Sequence, residues 1–305
     1  MVDLKAGVIG TGVFGGFHAS KYADSENATL LGVHDQHEDR MSALVEKWGG
    51  RAFPTAAALI DAVDVVTIAA PAVSHYALAK AALEAGRHVF VEKPIALDLD
   101  EADDLIALAD ARGLVLQVGH QERFIFDAFG VLGGDKRPVE VECRRNGPFS
   151  GRCMDVSVVM DLMIHDLDLL RQVIDSELES VAATARFEHG DVADEVDAAL
   201  IFQGGVKARL VASRIAETRV RDMRLVYDDG VVEIDFVGRR ITNTTPRQLE
   251  RSFDAGPDAP AFADPLGYGV EMFLKAVRDG APPPITGADG RAALALALRI
   301  EQALA

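Results

Sequence analysis

The chain has 305 residues, of which 49% are hydrophobic and 26% charged, and 48 acidic against 31 basic residues give it a net charge of −17. This length suits two domains, and the charge argues against a nucleic acid or an anionic membrane as partner, because both select basic patches. An anionic small molecule is not excluded, since a few arginines can gather in one pocket.

The first 119 residues alternate short apolar runs with amphipathic stretches, which is typical of repeated β-α units and a parallel sheet. Ser74 is expected to cap one helix, and Asp98 or Asp100 another. Gly86 and Gly113 suit the positions that follow helix ends. The predicted strands are 6–9, 29–34, 65–70, 88–91 and 114–118. Four helices are predicted between them: the first ends near residue 22, the second spans 38–48, the third runs from Ser74 to residue 85, and the fourth ends near residue 113.

The pattern changes after residue 119. A strand at 139–145 and a helix at 158–174 are predicted, followed to about residue 235 by strands with period-two alternation, of which 206–212 is the clearest. Gly204-Gly205 and Asp229-Gly230 mark hairpin turns, residues 242–263 are predicted to be mostly loop, and helices are expected at 266–278 and 289–304.

The predicted fold class is therefore α/β. A doubly wound parallel sheet of the Rossmann type occupies 1–119, and an α+β domain with an open, mainly antiparallel sheet occupies 120–305. The last helices, from about 266 to 305, are expected to pack back on the first domain.

A glycine-rich turn follows the first strand as Gly10-x-Gly12-x-x-Gly15. The first glycine permits a tight turn, the second lets the backbone approach a diphosphate, and the third allows close helix–strand packing. The helix that begins there offers N–H groups to the anion. Asp35 lies twenty residues after Gly15, where an acid can bind the adenosine ribose and repel a 2′-phosphate. This pattern predicts a dinucleotide site and favours NAD over NADP.

Lys93 follows the fourth predicted strand within Val91-Glu92-Lys93-Pro94. Open α/β sheets bind ligands at this edge, and Pro94 favours an extended residue before it, so the lysine projects from a fixed turn. Beside a positively charged nicotinamide ring its neutral form is favoured, and it can then act as a base. The alternative is a solvated lysine at a strand end.

Asp161 and His165 are spaced i and i+4 on the helix of the second domain, and Asp168 lies a further turn along. A histidine that is oriented by a carboxylate is suited to acid–base catalysis. A surface ion pair and a divalent-metal site are the alternatives, and we expect no metal because no second histidine is near. Cys143 and Cys153 lack the CxxC spacing of zinc sites, and two thiols are too few for a disulfide framework.

Together these motifs resemble those of the Gfo/Idh/MocA oxidoreductases, over essentially the whole chain. The set that carries the resemblance is Gly10-x-Gly12-x-x-Gly15, Ala70-Pro71 with His75, Glu92-Lys93-Pro94, and Asp161-x-x-x-His165. The resemblance implies oxidation of a secondary hydroxyl on a sugar or polyol, and it implies that Ala70, Pro71 and His75 lie along the nicotinamide. The cofactor contacts expected are Gly10, Gly12, Val13, Phe14, Gly15, Asp35, Ala70, Pro71, His75, Glu92, Lys93 and Gln121.

Although the chain is strongly acidic, it has a local basic cluster, which consists of Arg123, Arg144, Arg145 and Arg152 together with Gln121. Many members of the family have a glycine-rich stretch before the Asp-x-x-x-His helix, whereas residues 154–160 here are not glycine-rich. Guanidinium groups suit phosphate, so the cluster predicts a sugar nucleotide as substrate. The alternative is that these arginines pair with carboxylates of the protein. The substrate contacts expected are Lys93, Arg123, Arg144, Arg145, Arg152, Asp161 and His165.

Residues 119–124 and 161–166 also resemble the sugar-nucleotide branch of the family, which makes the 3-hydroxyl of UDP-N-acetylglucosamine, on the route to lipid A, the best specific substrate. A free sugar or inositol dehydrogenase, a carbonyl or imine reductase, a metal-dependent lyase or hydrolase, and a non-catalytic sensor are the rivals. Whether Lys93 or His165 is the base stays open. We expect a cytoplasmic homodimer or homotetramer, because an open sheet face is commonly covered by another subunit and the chain begins with nothing like a signal peptide.

Overall fold

A computed structural model describes residues 4–132, 136–151, 153–249 and 260–304. The chain forms two compact units. Residues 1–121 and 264–291 make the first unit, and residues 122–263 and 292–305 make the second.

The first unit contains a six-stranded parallel sheet in the order β3-β2-β1-β4-β5-β6. The order reverses between β1 and β4, which is the doubly wound arrangement predicted for this part of the chain. The strands are β1 (Leu4–Ile9), β2 (Ala28–His34), β3 (Arg51–Ala52), β4 (Val65–Ile68), β5 (His88–Val91) and β6 (Leu116–Val118).

The second unit contains a seven-stranded sheet in the order β13-β12-β11-β7-β10-β9-β8. Among its described strand pairs only β7 and β10 run parallel, so the predicted mainly antiparallel sheet is confirmed. The strands are β7 (Glu140–Asn146), β8 (Leu178–Arg186), β9 (Glu195–Phe202), β10 (Lys207–Ser213), β11 (Val220–Tyr227), β12 (Gly230–Asp235) and β13 (Arg240–Asn243).

Ten α-helices are found in the described residues. They are α1 (Val13–Asp24), α2 (Glu38–Trp48), α3 (Ala56–Ala62), α4 (His75–Glu84), α5 (Leu99–Arg112), α6 (Glu122–Ala128), α7 (Ile164–Val173), α8 (Pro260–Ala263), α9 (Pro265–Asp279) and α10 (Gly287–Gln302). None of the described helices is both long and apolar enough to cross a membrane.

Helix ends follow the predicted capping residues in most cases. Asp98 accepts a hydrogen bond from the Glu101 amide at 2.8 Å, and Gly113 ends α5 in the left-handed conformation, with φ of +62°. The prediction for Ser74 is wrong, because a 3₁₀ turn at Ala72–Ser74 precedes α4 and the Ser74 side chain makes no capping hydrogen bond to a described residue.

Two further predictions differ from the structure. The predicted helix at 158–174 begins with a π-helical segment, Val159–Met163, and only then becomes α7. The predicted loop at 242–263 overlaps the end of β13 and contains α8, while its residues 250–259 lie outside the described part. These elements are short, and their sequences carry little periodicity.

The core of the first unit joins the sheet to α9. Phe273 and Leu274 of α9 are fully buried in one cluster with Val8 and Phe90 of the sheet. The rings of Phe90 and Phe273 meet edge to face, with centroids 5.7 Å apart. Burial of two large aromatic rings makes this helix an integral part of the parallel-sheet unit.

We expect Phe273→Ala to lower the free energy of unfolding by about 3–5 kcal/mol, because it leaves a cavity behind a buried ring. The matched control is Phe187→Ala, since Phe187 is 57% exposed, and its effect should stay within ~0.5 kcal/mol. Urea denaturation followed by circular dichroism measures both, and equal losses would contradict the assignment of α9 to the core.

Candidate functional site

The loops after β1, β4, β5 and β6 leave the same edge of the parallel sheet. Parallel strands end together, and the reversal of strand order between β1 and β4 opens a crevice at this edge. The predicted cofactor residues Gly10, Ala70 and Lys93 stand in three of these loops. The fold therefore gathers motifs that are spread over about eighty residues of the sequence.

The three glycines of the first loop have the three predicted uses. Gly10 has a φ of +92°, and a Cβ atom there would lie 2.5 Å from the Ala69 carbonyl oxygen. A Cβ at Gly15 would overlap the carbonyl oxygen of Gly10, so this glycine lets α1 start against the strand. Around Gly12 no described atom would lie within 4 Å of an added Cβ. The open space at the start of α1 suits a diphosphate, which the helix N–H groups at Val13 and Phe14 can bind.

Asp35 holds the glycine-rich loop in place. Its carboxylate accepts hydrogen bonds from the backbone N–H of Thr11 at 2.6 Å and of His37 at 2.9 Å. Burial favours the neutral acid, but these two donors keep the pKa of Asp35 below its usual value. An ionised carboxylate with lone pairs to spare can still accept a ribose hydroxyl and disfavours a 2′-phosphate.

Glu92 takes part in a buried network instead of facing a ligand. It is 6% exposed, and its Oε1 accepts hydrogen bonds from His18 Nε2 at 2.7 Å and Gln121 Nε2 at 2.8 Å. Its Oε2 lies so close to Gly119 that a Cβ there would be 2.6 Å away. Burial raises the pKa of Glu92, but the bond from His18 and the charges nearby hold it below its usual value. Glu92 and Gln121, both predicted cofactor contacts, therefore bind each other at this edge of the sheet.

His75, a predicted cofactor contact, connects two loops of the first unit. Its ring is 2% exposed and lies between two carbonyl oxygens, with Nδ1 2.7 Å from that of Pro94 and Nε2 2.9 Å from that of Ala70. Burial lowers the pKa of His75, although both carbonyls favour its protonation. The imidazole therefore links the loop after β4 to the loop that carries Lys93, and Ala70 contributes its carbonyl to this link.

Lys93 projects from a buried run. Between Val91 and Ala96, all of which are described, Lys93 alone is not buried. Its neighbours Glu92 and Pro94 are fixed by the contacts just given, so the direction of the lysine is set by two buried residues. This is the geometry expected of a side chain that serves a bound molecule.

Asp161 and His165 are half-buried and lie in the second unit, on the π-helical segment and the first turn of α7 respectively. Ser157 precedes them, and its hydroxyl oxygen accepts the Val159 amide at 3.1 Å while its carbonyl accepts the Asp161 amide at 2.9 Å. The Ser157 hydroxyl also donates to Glu301 of α10. Ser157 therefore binds N–H groups at the start of this helix and also connects the helix start to α10.

The predicted basic cluster is dispersed by the fold. Arg144 and Arg145 are neighbours on β7 and point to opposite faces of the sheet, because side chains alternate along a strand. Arg144 is exposed and pairs with Asp222 on the adjacent strand. Arg152 lies outside the described residues.

The two buried arginines are committed to carboxylates of the same unit. Arg145 binds Asp166 of α7 through Nε at 3.0 Å and Nη2 at 2.7 Å, and contacts Glu122 at 3.2 Å. Although burial disfavours its charge, these carboxylates hold the pKa of Arg145 above its usual value. Arg123 forms the same two-pronged pair with Asp168. The prediction that Arg145 and Arg123 bind substrate phosphate is therefore corrected: they neutralise buried acids of α7.

His18 was missed in the sequence. It lies three residues after Gly15 and four before Tyr22, and both side chains face the sheet, where Tyr22 contacts Thr67 at 2.8 Å. Polar residues on the buried stripe of a helix indicate a buried partner, and that signal was available. Within the described residues, no three histidine, cysteine, aspartate or glutamate side chains cluster as metal ligands, and Cys143 and Cys153 are not joined in a disulfide.

Comparison with known proteins places both units in known families. A family described as an oxidoreductase family with an NAD-binding Rossmann fold matches residues 4–120, and a GFO/IDH/MocA C-terminal domain family matches residues 134–233. A UDP-N-acetylglucosamine 3-dehydrogenase of Acidithiobacillus ferrooxidans is 36% identical and covers 100% of this chain and 98% of its own length. One solved structure of that enzyme matches with a TM-score of 0.87 at 35% identity over 100% of this chain and 98% of its own. A myo-inositol 2-dehydrogenase of Thermotoga maritima is 27% identical over 99% of this chain and 96% of its own length.

Two glycine variants should separate binding from folding. Gly12→Ala adds a methyl group where space is open, so it should keep the melting temperature while raising the Kd for NAD about tenfold or more, or ~1.4 kcal/mol. Gly15→Ala forces a backbone clash and should cost about 1–3 kcal/mol of stability. Thermal melting without ligand and fluorescence titration with NAD measure the two effects. A Gly12→Ala variant with unchanged NAD affinity would argue against the diphosphate site.

The two adjacent arginines give a second matched pair. Arg145→Met leaves the buried Asp166 without its cation and should destabilise the protein by about 3–5 kcal/mol. Arg144→Met, which breaks an exposed pair, should cost about 0–1 kcal/mol. If Arg145→Met instead melted like the wild type and lost only substrate affinity, Arg145 would be a substrate ligand after all.

Proposed function

The chain belongs to the Gfo/Idh/MocA family of oxidoreductases, and we propose that it oxidises a secondary hydroxyl of a sugar nucleotide with NAD as cofactor. The best specific substrate is UDP-N-acetylglucosamine at its 3-hydroxyl. The observation that carries this proposal is the similarity to the UDP-N-acetylglucosamine 3-dehydrogenase over the full length of both chains.

The first unit fits NAD. The open space at Gly12 would hold the diphosphate, and the ionised Asp35 would accept a hydrogen bond from a hydroxyl of the adenosine ribose. When bound, NAD removes the hydrogen on the hydroxyl-bearing carbon together with its electron pair. The protein's own side chains are then left to orient the sugar and to take the proton from the hydroxyl.

We assign cofactor binding to residues 1–119 and substrate binding to 120–305, and we name Lys93 and His165 as the two candidate bases for the substrate hydroxyl. Either the lysine amine or the imidazole can take the proton, and Asp161 is suited to orient the histidine. Lys93 is supported by its projection from a buried run, and His165 by its place on an anchored helix start. A non-catalytic sensor would have no need of these three side chains together.

A free polyol is the second candidate substrate. Inositol dehydrogenases are also similar to this chain over most of its length, and the buried arginines that were expected to bind a diphosphate are paired with Asp166 and Asp168 instead. A polyol needs only neutral hydrogen bonds and no phosphate ligands. NAD reduction measured with a sugar nucleotide and with a free polyol therefore distinguishes the two candidate substrates.

We also propose that the protein acts in the cytoplasm as a homodimer or homotetramer. Cys143 and Cys153 are not joined in a disulfide, which fits a reducing compartment. The outer face of the seven-stranded sheet is a second support, because it forms a wide groove lined by residues such as Arg144, Asp222 and Arg224. Cross-strand ion pairs of alternating sign on such a face suit a second copy of the same face.

The test of the proposed function is reduction of NAD with defined substrates. Absorbance at the reduced-cofactor band should rise with UDP-N-acetylglucosamine and NAD, and less with NADP. A rise with myo-inositol alone would favour the second candidate, and no rise with any sugar, polyol or sugar nucleotide would contradict the enzyme assignment.

Lys93→Met should leave the Kd for NAD within about twofold while lowering kcat by roughly 100-fold or more, since a positioned general base contributes about 10²–10⁴. Lys47→Met on exposed α2 is the matched control and should behave as the wild type. Steady-state kinetics measure kcat, and titration with NAD measures the Kd. An active Lys93→Met variant would remove Lys93 from the mechanism.

A further inference from the structure

Two exposed rings of the second unit are stacked on each other. The ring centroids of Phe149 and His189 are 3.6 Å apart, and the ring planes differ by 24°. Phe149 is 42% exposed, and His189 is exposed as well. The buried networks described above do not account for this pair. Stacked aromatic rings that face water offer a flat apolar surface of the kind that binds another flat ring.

The two rings stand on different loops that one buried ion pair joins. Phe149 lies in the segment after β7, and His189 lies in the turn between β8 and β9. Asp194 accepts the backbone N–H groups of Glu188 and His189, both at 2.7 Å, and binds Arg214 Nε at 2.6 Å. This fixes the loop that carries His189.

The same arginine fixes the other loop. Arg214 Nη1 donates to the carbonyl oxygens of Cys153 at 2.8 Å and Val156 at 3.2 Å, in the segment that follows Phe149. Asp194 and Arg214 are 0% and 6% exposed. The guanidinium therefore contacts both the loop that carries His189 and the segment that follows Phe149.

Asp194, which binds Arg214, is ionised at neutral pH. Burial would favour the neutral acid, but the two amides and Arg214 lower the pKa of Asp194 to about 2. A carboxylate with a lowered pKa contributes stability above its unfolded pKa of about 4, and that contribution is lost only as the pH falls towards about 2. The ring pair is therefore held in one arrangement at neutral pH, which lowers the entropic cost of binding.

The ring-bearing loops continue into the helix of Asp161 and His165. Val156 is followed by Ser157, which caps that helix start, and the Val158 amide donates to the Ala193 carbonyl at 3.0 Å. The turn that carries His189 is thus hydrogen-bonded to the residue that begins the helix. Phe149, His189, Asp161 and His165 lie on one hydrogen-bonded framework within the second unit.

We propose that Phe149 and His189 form a stacking platform for the nucleobase of the substrate. This inference rests on the proposed function, because it requires a substrate that carries a planar base. A pyranose or inositol ring has no π face, whereas a uracil ring can stack on the outer surface of the pair. Base–aromatic stacking is worth about 1–3 kcal/mol per base, and tolerates any base. The platform would then provide the nucleotide recognition that the paired arginines do not.

The test compares ligands with and without the base. We expect Phe149→Ala to weaken binding of UMP and of UDP-N-acetylglucosamine roughly 5- to 140-fold, which corresponds to about 1–3 kcal/mol at ~1.4 kcal/mol per tenfold. Binding of N-acetylglucosamine 1-phosphate, which has no base, should change less than about twofold. Isothermal titration in the presence of NADH, which cannot accept a hydride from the substrate, measures all three, and Phe149→Trp should restore uridine binding.

Phe187→Ala is the matched control, since Phe187 lies two residues before His189, is 57% exposed and is not part of the stacked pair. It should bind all three ligands as the wild type does. Equal losses for ligands with and without the base, or unchanged uridine binding in Phe149→Ala, would overturn the platform. A changed molecular mass of Phe149→Ala in light scattering would also overturn it, because the rings would then cover a subunit contact.

The proposal and the proposed function fail in different ways. If the wild type oxidises myo-inositol and binds no uridine ligand, the sugar-nucleotide function is wrong and the platform falls with it. If the wild type oxidises UDP-N-acetylglucosamine while Phe149→Ala binds it equally well, the function stands and the platform alone is wrong.

Discussion

The first unit depends on one buried carboxylate at the edge of its parallel sheet. Glu92 is bound by His18 of α1 and by Gln121 after β6, so it ties the helix that starts at the glycine-rich loop to the ends of two strands. A buried carboxylate without partners would be costly, so these donors must stay in place. Lys93 is the next residue in the chain, so the backbone from which it projects is held by the hydrogen bonds of Glu92. A catalytic amine beside a coenzyme needs this kind of rigid support.

Several polar residues of the motifs support the loops of the first unit. Asp35 holds the glycine-rich loop, His75 joins the loops after β4 and β5, and Glu92 fixes the turn before Lys93. In the second unit Asp194 and Arg214 do the same for the loops that precede the helix of Asp161 and His165. Motif residues can therefore be indispensable for geometry without contacting the reacting atoms, and only measurements that separate affinity from stability distinguish the two roles.

The Rossmann topology, the glycine-rich turn and most element bounds could be predicted because they depend on local periodicity and on residues with special backbone needs, such as Gly10 and Gly113. The basic cluster was misjudged for a physical reason. Adjacent residues of a strand face opposite sides, so Arg144 and Arg145 could never have met one ligand. The partners of Arg123 and Arg145 depend on how α7 packs on the sheet, which a single sequence does not reveal. The sugar-nucleotide proposal rests on the full-length similarity, and the Phe149–His189 platform rests on that proposal in turn.

The most direct test of the central claim is to follow the hydrogen on the substrate carbon. Under the proposed function, UDP-N-acetylglucosamine labelled with deuterium at C3 should transfer the label to the nicotinamide, and mass spectrometry should find one deuterium in the reduced cofactor. Reduced cofactor without deuterium would place the reaction at another carbon. Cofactor that stays oxidised with this substrate under conditions where NAD binds would contradict the account.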